Sequence, residues 1–250
     1  MAKVNEQELL KSRIIDSCVL VNNKQIPKFI GFLSEEEVLF ANKVLLNQGA
    51  NYTFFSGTNN GMRKYLGIFP DGNFDYSIFP ISALKVEYSQ KFILKHSDFL
   101  GALMALNLTR SSFGDFIVLS GEAYLVVADS VKEIIKDELH KVGRVGVKVT
   151  ECDFSFIPYT EQCFDELRVT VSSLRIDCVV SALCGISREK ALGKIKEGSV
   201  KLNAEVIVKP DKGVLENSII TVRGYGKYKL SDSSTMTKKG KTVLKVLKYK

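Results

Sequence analysis

LRIDCVVSALCGISREKALGKIKEGSVKLNAEV, residues 174–206, is the stretch of sequence that decides the fold of the last third of the chain. It predicts one helix that ends near Gly185 and a second helix that is capped by Ser187 and stops at Gly198. A small β portion follows, so residues 171–250 are expected to fold as one domain, a helix pair on a small sheet. The strands are predicted at 200–203, 206–208, 217–222 and 225–230.

The same third carries the positive charge of the protein. The 250 residues include 35 Lys and Arg and 28 Asp and Glu, a net charge of +7. Residues 1–170 hold 18 of the basic and 21 of the acidic residues, a net of −3, whereas residues 171–250 hold 17 and 7, a net of +10. This asymmetry indicates a module that binds a polyanion, joined to a near-neutral body. A solubilising tail is the weaker alternative, because the charge runs through a segment patterned to fold.

Cationic side chains are concentrated on the second predicted helix and on the strands that follow it. The N-terminus of that helix also offers free backbone N–H groups and a partial positive charge, which suit phosphate. Lys and Arg on a compact helix pair would position RNA through its phosphates, and we expect them to share one exposed surface. The predicted RNA-binding residues are Arg175, Ser187, Arg188, Lys190, Lys194, Lys201, Asn203, Arg223 and Lys227.

The motifs of this domain resemble those of the S4 RNA-binding domain, and the resemblance covers most of the module. It implies binding of structured ribosomal or transfer RNA. For two residues a structural alternative stays open: Asp177 pairs with Arg175 or caps a helix, and Asn203 lies in a turn. The matching segments are Arg175-Ile176-Asp177, Ser187-Arg188-x-x-Ala191, Gly198-x-Val200-x-Leu202-Asn203 and Arg223-Gly224-Tyr225-Gly226.

Residues 1–80 are predicted to form an N-terminal α+β subdomain. A helix is predicted at 6–21 from the spacing of its apolar residues. The segment 34–37, Ser-Glu-Glu-Glu, is a capping box that starts a second helix, and Gly49 ends it. Short strands joined by turns are predicted between residues 51 and 75.

Residues 81–155 are predicted to follow the order βαββαβ, which is the ferredoxin-like pattern. Its two helices, at 97–106 and 130–140, would be capped by Ser97 and Ser130. RNA-recognition domains share this order but carry sheet aromatics in a specific motif, which is absent, so a scaffold role and an RNA-binding role both stay open. The fold class is therefore α+β, with domains at 1–80, 81–155 and 171–250, and a basic tail at the end. Residues 156–170 are interpreted as a linker or a short connecting strand.

A segment of the N-terminal body, HSDFLGALMALNLTRSSFGDF at 96–116, resembles the YlmH-type S4 proteins of bacteria. The resemblance extends over nearly the whole chain, including 61–64, with Ser97 and Asn107 standing where an Arg and a Gly are usual. It implies a cytoplasmic bacterial factor that binds ribosomal RNA and tRNA on the large ribosomal subunit, in ribosome-associated quality control of stalled nascent chains. The matching positions are His96, Asp98, Leu100, Gly101, Leu103, Leu106, Arg110, Gly114 and Asp115.

Two other classes of function are weighed against RNA binding. The best candidate for a catalytic cluster is His96, Asp98, Arg110 and Asp115. An RNA-modifying enzyme would use the histidine and the acids for acid–base chemistry if they faced one cleft, but acids such as Asp98 suit the first turn of a helix, and Arg110 would then contact RNA or support the structure. A cell-division adaptor is the other alternative, because some YlmH-type proteins were linked to division by gene neighbourhood. We predict no enzyme activity and no catalytic residue. A second contact surface is predicted from Arg63, Lys64, His96 and Arg110.

Neither a metal nor a cofactor is expected. The chain has two histidines and no Cys-x-x-Cys pair, so its cysteines are interpreted as small buried hydrophobes. No window approaches the roughly eighteen apolar residues that span a membrane, and the N-terminus lacks the apolar stretch of a signal peptide. We therefore expect a monomeric, soluble protein of the cytoplasm with no membrane partner. The cysteines are Cys18, Cys152, Cys163, Cys178 and Cys184.

Overall fold

The computed structural model describes residues 2–159, 164–237 and 240–249. They belong to two compact units, Met1–Thr160 and Glu161–Lys250. The described residues form six α-helices and fourteen β-strands in three sheets, which confirms a mixed helix-and-sheet architecture. Within these residues no helix has the length and apolar character that crossing a bilayer requires.

The first unit begins with two helices and a three-stranded antiparallel sheet in the order β1-β3-β2. The predicted capping box at the start of α2 is confirmed, because Ser34 and Glu37 each accept a hydrogen bond from the other's backbone N–H. The apolar residues of α1 and α2 pack on one side of this sheet around Ile14, Leu45 and Leu66. The elements are α1 (Ala2–Lys24), β1 (Lys28–Leu33), α2 (Glu35–Gln48), β2 (Asn51–Phe55) and β3 (Lys64–Phe69).

A five-stranded antiparallel sheet forms the rest of the first unit, in the order β5-β6-β4-β8-β7. Apart from the two-residue strand β7, the elements follow the predicted order βαββαβ. One apolar core joins this sheet and its helices to Phe32 and Phe69 of the preceding sheet, so the predicted boundary at residue 80 falls inside one unit. The elements are β4 (Ile81–Tyr88), α3 (His96–Ala105), β5 (Phe113–Val118), β6 (Glu122–Ala128), α4 (Asp129–Glu138), β7 (Lys141–Val142) and β8 (Val145–Cys152).

The predicted caps of α3 and α4 are wrong by one or two residues. Lys95 is the N-cap residue of α3, and the carboxylate of Asp98 accepts its backbone N–H at 2.7 Å, which places Ser97 inside the first turn. Helix α4 begins at Asp129, so Ser130 also lies inside the first turn and makes no capping bond. In both helices an acidic residue stands beside the predicted cap.

The second unit is a six-stranded antiparallel sheet in the order β11-β10-β12-β13-β14-β9. Helices α5 and α6 contribute to one apolar core with the sheet, centred on Val180, Ile195 and Val222. The elements are β9 (Phe164–Val171), α5 (Ile176–Cys184), α6 (Arg188–Lys196), β10 (Val200–Leu202), β11 (Glu205–Val206), β12 (Ile219–Val222), β13 (Gly226–Met236) and β14 (Thr242–Tyr249).

Two strands of this sheet lie where the sequence predicts a linker and a basic tail. Strand β9 occupies much of 156–170, and β14 lies in the predicted tail. Both alternate polar residues with apolar ones that reach the core, such as Leu244 and Val246 of β14. Their pairing with each other along eight residues corrects the prediction of a smaller sheet.

Candidate nucleic-acid interface

The buried carboxylate of Asp177 joins the two helices of the second unit. Asp177 lies in the first turn of α5 and is only 1% exposed. Arg188 of α6 donates from Nε and Nη2 to Oδ2 of Asp177 at 3.0 and 2.7 Å. Arg175, the N-cap residue of α5, donates from Nε to Oδ1 and from Nη2 to Oδ2 at 3.2 and 3.3 Å. The predicted pair of Asp177 with Arg175 is confirmed, and the sequence analysis missed the shorter pair with Arg188.

This arrangement keeps the acid ionised and holds two guanidinium groups in place. Burial alone would raise the pKa of Asp177, but hydrogen bonds from Arg188 and Arg175 outweigh it and hold the pKa below its ordinary value. The side chains of Arg188 and Arg175 are still 57% and 44% exposed. A guanidinium has five N–H donors, and those not bound by Asp177 suit the oxygens of a phosphate.

Two residues of the predicted RNA-binding set have structural roles. The Oγ atom of Ser187 accepts the backbone N–H of Lys190 at 3.3 Å, which confirms the predicted cap of α6. Asn203 has a left-handed φ of 50° in the turn between β10 and β11. Its Oδ1 accepts the backbone N–H of Ile219 at 2.8 Å, so the turn alternative for Asn203 is confirmed.

The remaining cations of the helix pair lie on and beside α6. Lys190 is exposed. Lys194 is half-buried, with Nζ 5.0 Å from the ring centre of Tyr225. Arg223 is exposed, and its backbone N–H donates to the carbonyl of Ser199, directly after the α6 segment. We call Arg175, Arg188, Lys190 and Lys194 the helix-pair cations.

The other predicted cations lie on the opposite face of the sheet. Val200 and Leu202 of β10 belong to the core that includes the helices, so Lys201 between them points away from it, since successive side chains of a strand alternate. Thr221 is the register partner of both Lys201 and Lys227, which places Lys227 on the same outer face. The prediction of one shared surface is therefore wrong, and the cations form two groups.

Sequence reasoning missed three further cations of this outer face. Lys229 follows Lys227 by two residues along β13 and so points the same way. Lys245 of β14 lies between the buried Leu244 and Val246, and its register partner on β9 is Arg168. The alternation of Lys with Val and Leu in TVLKVLKY was the available signal, and it was interpreted as part of a tail. We call Lys201, Lys227, Lys229, Lys245 and Arg168 the sheet-face cations.

In the first unit, two arginines of the predicted second contact surface bind backbone carbonyls. Arg63 donates from Nη2 to the carbonyls of Phe32 and Arg110 at 2.7 and 3.0 Å, and its Nε is buried without a hydrogen-bond partner. Arg110 donates from Nη1 to the carbonyls of Phe113 and Gly114. Burial, followed by the nearby charge of Arg63, lowers the pKa of Arg110 to about 10. Both guanidiniums therefore support the local backbone, while Lys64 lies at the start of β3.

The residues weighed as a catalytic cluster have separate local partners. His96 stacks on Phe116 with ring centres 4.8 Å apart, and partial burial together with the charge of Arg110 lowers the pKa of His96. Asp98 binds the backbone of α3, as described above, and Asp115 accepts the backbone N–H of Arg63 at 2.9 Å. A cavity of about 420 Å³ in this unit is lined by Arg110, one of the four residues weighed as a catalytic cluster, but not by His96, Asp98 or Asp115.

The cysteines and acids of the described segments offer no evident metal site. No group of three or more His, Cys, Asp or Glu residues is placed to hold an ion among the residues at 2–159, 164–237 and 240–249. Cys18 and Cys178 are buried as predicted, whereas Cys152 and Cys184 are only half-buried. Cys163 lies outside the described residues.

Comparisons with known proteins agree with the resemblance seen in the sequence. Residues 75–155, which include the five-stranded sheet, match the family described as "Putative RNA-binding domain in YlmH". The chain is 29% identical over 224 residues to the "Ribosome-associated protein quality control protein P2" of Bacillus subtilis (strain 168), an alignment that covers 89% of this chain and 87% of the relative.

A solved structure shares the fold. The "Cell division protein ylmH from Streptococcus pneumoniae" superposes with a TM-score of 0.51 at 23% identity, over 60% of this chain and 93% of that one. At that level of identity the likeness is one of fold. The family match at 75–155 and the alignment with the Bacillus protein over 89% of this chain support a YlmH-type protein, and the shared fold is consistent with them.

Proposed function

We propose that this protein binds structured RNA, ribosomal RNA and tRNA, on the large ribosomal subunit, and that it acts in quality control of stalled nascent chains. The name of its Bacillus relative, a ribosome-associated quality control protein, supports the setting. The match of residues 75–155 to a family described as RNA-binding supports the ligand. The helix-pair cations and the sheet-face cations supply the contacts in the C-terminal unit.

One observation carries the proposal: a single buried carboxylate, Asp177, orients two partly exposed arginines, Arg175 at the start of α5 and Arg188 at the start of the basic helix α6. A buried acid that paired with one arginine would leave little net charge at the surface. Here Arg175 and Arg188 share one acid, so a positive charge remains, and its position is fixed. Preorganised guanidiniums lose less entropy when they bind phosphate than free side chains do.

The fold supports a finer assignment of the domains. We infer that the part of the second unit built from α5, α6 and the strands β10 to β13 is S4-like. The segments that resemble the S4 motifs lie on these helices and strands and in the turns between them. We infer that residues 81–155 form a ferredoxin-like domain, because the strand order β5-β6-β4-β8 with all neighbours antiparallel is the one that the split βαβ pattern builds. Monomeric RNA binding through the 171–250 module is part of the proposal.

A binding role without catalysis is also part of the proposal. His96, Asp98 and Asp115 are engaged by an aromatic ring, a helix start and a backbone N–H. General acid–base catalysis would need these groups to converge on one proton of a substrate. Their separate partners therefore favour a supporting role for this part of the body.

Sedimentation with purified ribosomal subunits at graded salt tests the proposed function. Binding through about six phosphate contacts gives a log–log salt slope of about −4 to −5. We expect the protein to pellet with the large subunit at low salt and to be released as salt rises. A protein that stays in the supernatant at low salt, or whose pelleting does not depend on salt, would contradict the proposal.

A pair of variants locates the contacts. Lys190→Ala with Lys194→Ala removes two helix-pair cations without touching the Asp177 network, and we expect roughly tenfold weaker binding. Lys11→Ala with Lys24→Ala is the matched control, because it removes the same charge from helix α1 in the other unit. Equal affinity of the two double variants would exclude Lys190 and Lys194 from the site.

A further inference from the structure

The outer face of the six-stranded sheet is the strongest feature that the helix-pair site leaves unexplained. The core of the second unit, with both helices, lies against the other face, where Leu202, Ile220, Tyr228 and Val246 are buried. Neither α5 nor α6 lies on the outer face of β10, β12, β13, β14 and β9. Lys201, Lys229 and Lys245 on this face are half-buried or exposed. Their neighbours Leu202, Tyr228 and Leu244 are buried.

Charge on this face is strongly biased. Five cations point outward: Lys201, Lys227, Lys229, Lys245 and Arg168. Two carboxylates share the face, Glu166 of β9 and Asp232 of β13, and the latter lies 3.3 Å from Nζ of Lys245. Among the described residues, these outward positions therefore carry more basic than acidic side chains. A purely structural face of this kind would alternate charges of both signs to limit repulsion between cross-strand neighbours.

The cations are spread along and across the strands. Lys201 and Lys227 flank Thr221 in one cross-strand row, so about two strand spacings, roughly 10 Å, separate their backbones. Lys227 and Lys229 are two residues apart on β13, a distance of about 7 Å along the strand. A path of cations therefore runs from β10 across the sheet towards β9, which suits an extended polyanion better than a single small anion.

Aromatic and polar groups border this path. The Nζ atom of Lys227 lies 4.9 Å from the ring centre of Tyr249, and the ring of Phe164 packs edge-on against Tyr249 with 4.9 Å between centres. Further along β9 and β14, a pocket of about 60 Å³ is lined in part by Glu166, Arg168, Ser231 and Lys245. Basic side chains interleaved with aromatic rings are the usual composition of surfaces that follow a nucleic acid backbone.

We propose that this outer sheet face is a second RNA-binding surface, which contacts the phosphates of an RNA strand through the sheet-face cations. It rests on the proposed function, because it assigns a further contact surface to the same ligand class. The helix-pair cations and the sheet-face cations lie on opposite faces of one sheet. One unit can therefore touch two RNA segments at once, and each contact raises the effective concentration of the other.

The double variant Lys201→Ala with Lys229→Ala tests the inference. The probes are a fluorescent uridine oligonucleotide and an RNA duplex of about 16 base pairs, the span of a typical duplex-binding domain, titrated between about 50 and 200 mM salt. We expect affinity for at least one probe to fall roughly tenfold and the log–log salt slope to become shallower by about 1.5, since each lost phosphate contact removes about 0.7 to 0.9. The Lys201→Arg with Lys229→Arg variant keeps the charge and should bind as the wild type does.

The outcomes separate this inference from the proposed function. A wild-type protein that binds neither RNA probe nor the ribosome would overturn the proposed function itself. If the wild type binds and Lys190→Ala with Lys194→Ala weakens it, but Lys201→Ala with Lys229→Ala has unchanged affinity and slope for both probes, the sheet face is not an RNA surface. Equal midpoints of thermal unfolding for the variants would show that a change in affinity reports on binding and not on folding. The double variant Lys11→Ala with Lys24→Ala is the control for the loss of two positive charges.

Discussion

Arg188 and Asp177 form an ion pair in which the acid is almost wholly buried and the base is more than half exposed, with Nη2 and Oδ2 2.7 Å apart. The pair spans eleven residues and ties the start of α6 to the first turn of α5. Its asymmetry matters for both stability and binding. Only the carboxylate has lost its water, so the cost of desolvation is limited, and the guanidinium can reach a ligand while it remains anchored.

Asp177→Asn removes the charge and nearly keeps the shape. We expect the free energy of unfolding to fall by about 1–3 kcal/mol, because hydrogen bonds to charged groups are lost while both arginines can regain water. Urea unfolding measures the change, and Asp211→Asn, in an exposed loop, should shift it by less than about 0.5 kcal/mol. An Asp177→Asn protein as stable as the wild type would show that the network contributes nothing to folding.

The same variant carries a prediction on pH. Because the pKa of Asp177 is depressed in the folded state, its contribution is complete above the unfolded value of about 3.9 and is lost as the pH falls through the lower folded pKa. Between pH 5 and pH 2.5 the wild type should therefore lose more stability than Asp177→Asn does. Parallel curves of unfolding free energy against pH for the two proteins would contradict the shift.

Ser187→Ala should cost about 1 kcal/mol, because the hydroxyl satisfies a backbone N–H at the start of α6. Ser130→Ala is the matched control, since Ser130 lies in the first turn of α4 and makes no capping bond. We expect that control to change stability by less than about 0.5 kcal/mol. Chemical denaturation of the two variants distinguishes a real cap from a serine that only resembles one, and equal losses would remove the distinction.

Gly31→Ala should destabilise the first unit by about 1–3 kcal/mol. A Cβ atom on Gly31 would lie 2.6 Å from the backbone oxygen of Ser111, and a backbone group cannot move aside as a side chain can. Gly101→Ala is the opposite case, because nothing lies within 4 Å of its added Cβ in helix α3, and a gain of up to about 1 kcal/mol is expected. Thermal unfolding should thus move in opposite directions for the two variants.

Arg63→Ala should reduce the stability of the first unit by about 2 kcal/mol or more, because the carbonyls of Phe32 and Arg110 lose their donor. Lys64→Ala, at the next position, should cost less than about 0.5 kcal/mol. RNA binding measured on the same two proteins separates the roles. A stable Arg63→Ala protein with weakened RNA binding would make Arg63 a contact residue and not a structural one.

Helix caps were predicted correctly where the two hydrogen-bonding residues lie close together in the sequence. Ser34 and Glu37 lie three residues apart, as do Ser187 and Lys190, so the capping bonds follow from spacing alone. Ser97 offered the same kind of signal but was not the cap. There the carboxylate of Asp98 accepts the backbone N–H of Lys95, so the N-cap lies two residues before the predicted cap, and an ionised acceptor makes that bond a strong one.

Long-range relationships were beyond the reach of the sequence. Strand β9, FDELRVTV, is half polar and exposed for much of its length, and its pairing with β14 shows that Leu167 and Val169 reach the core. The division of the predicted cations into two groups follows from the same sheet. Lys194 and Lys201 are only seven residues apart in the chain. Lys201 lies on β10 between the buried Val200 and Leu202, whereas Lys194 lies on α6, which covers the opposite face of the sheet.

The pairing of β9 with β14 also sets an order for folding during synthesis. Strand β9 leaves the ribosome first, yet its register partners, from Thr242 to Tyr249, are made only after both helices and the four intervening strands. Pairing between distant segments is slow because the connecting chain must be closed into a loop. Until translation has passed Tyr249, β9 has no β14 to pair with. The emerging unit therefore passes through a partly folded state with an incomplete sheet, a kind of state that is prone to misfolding.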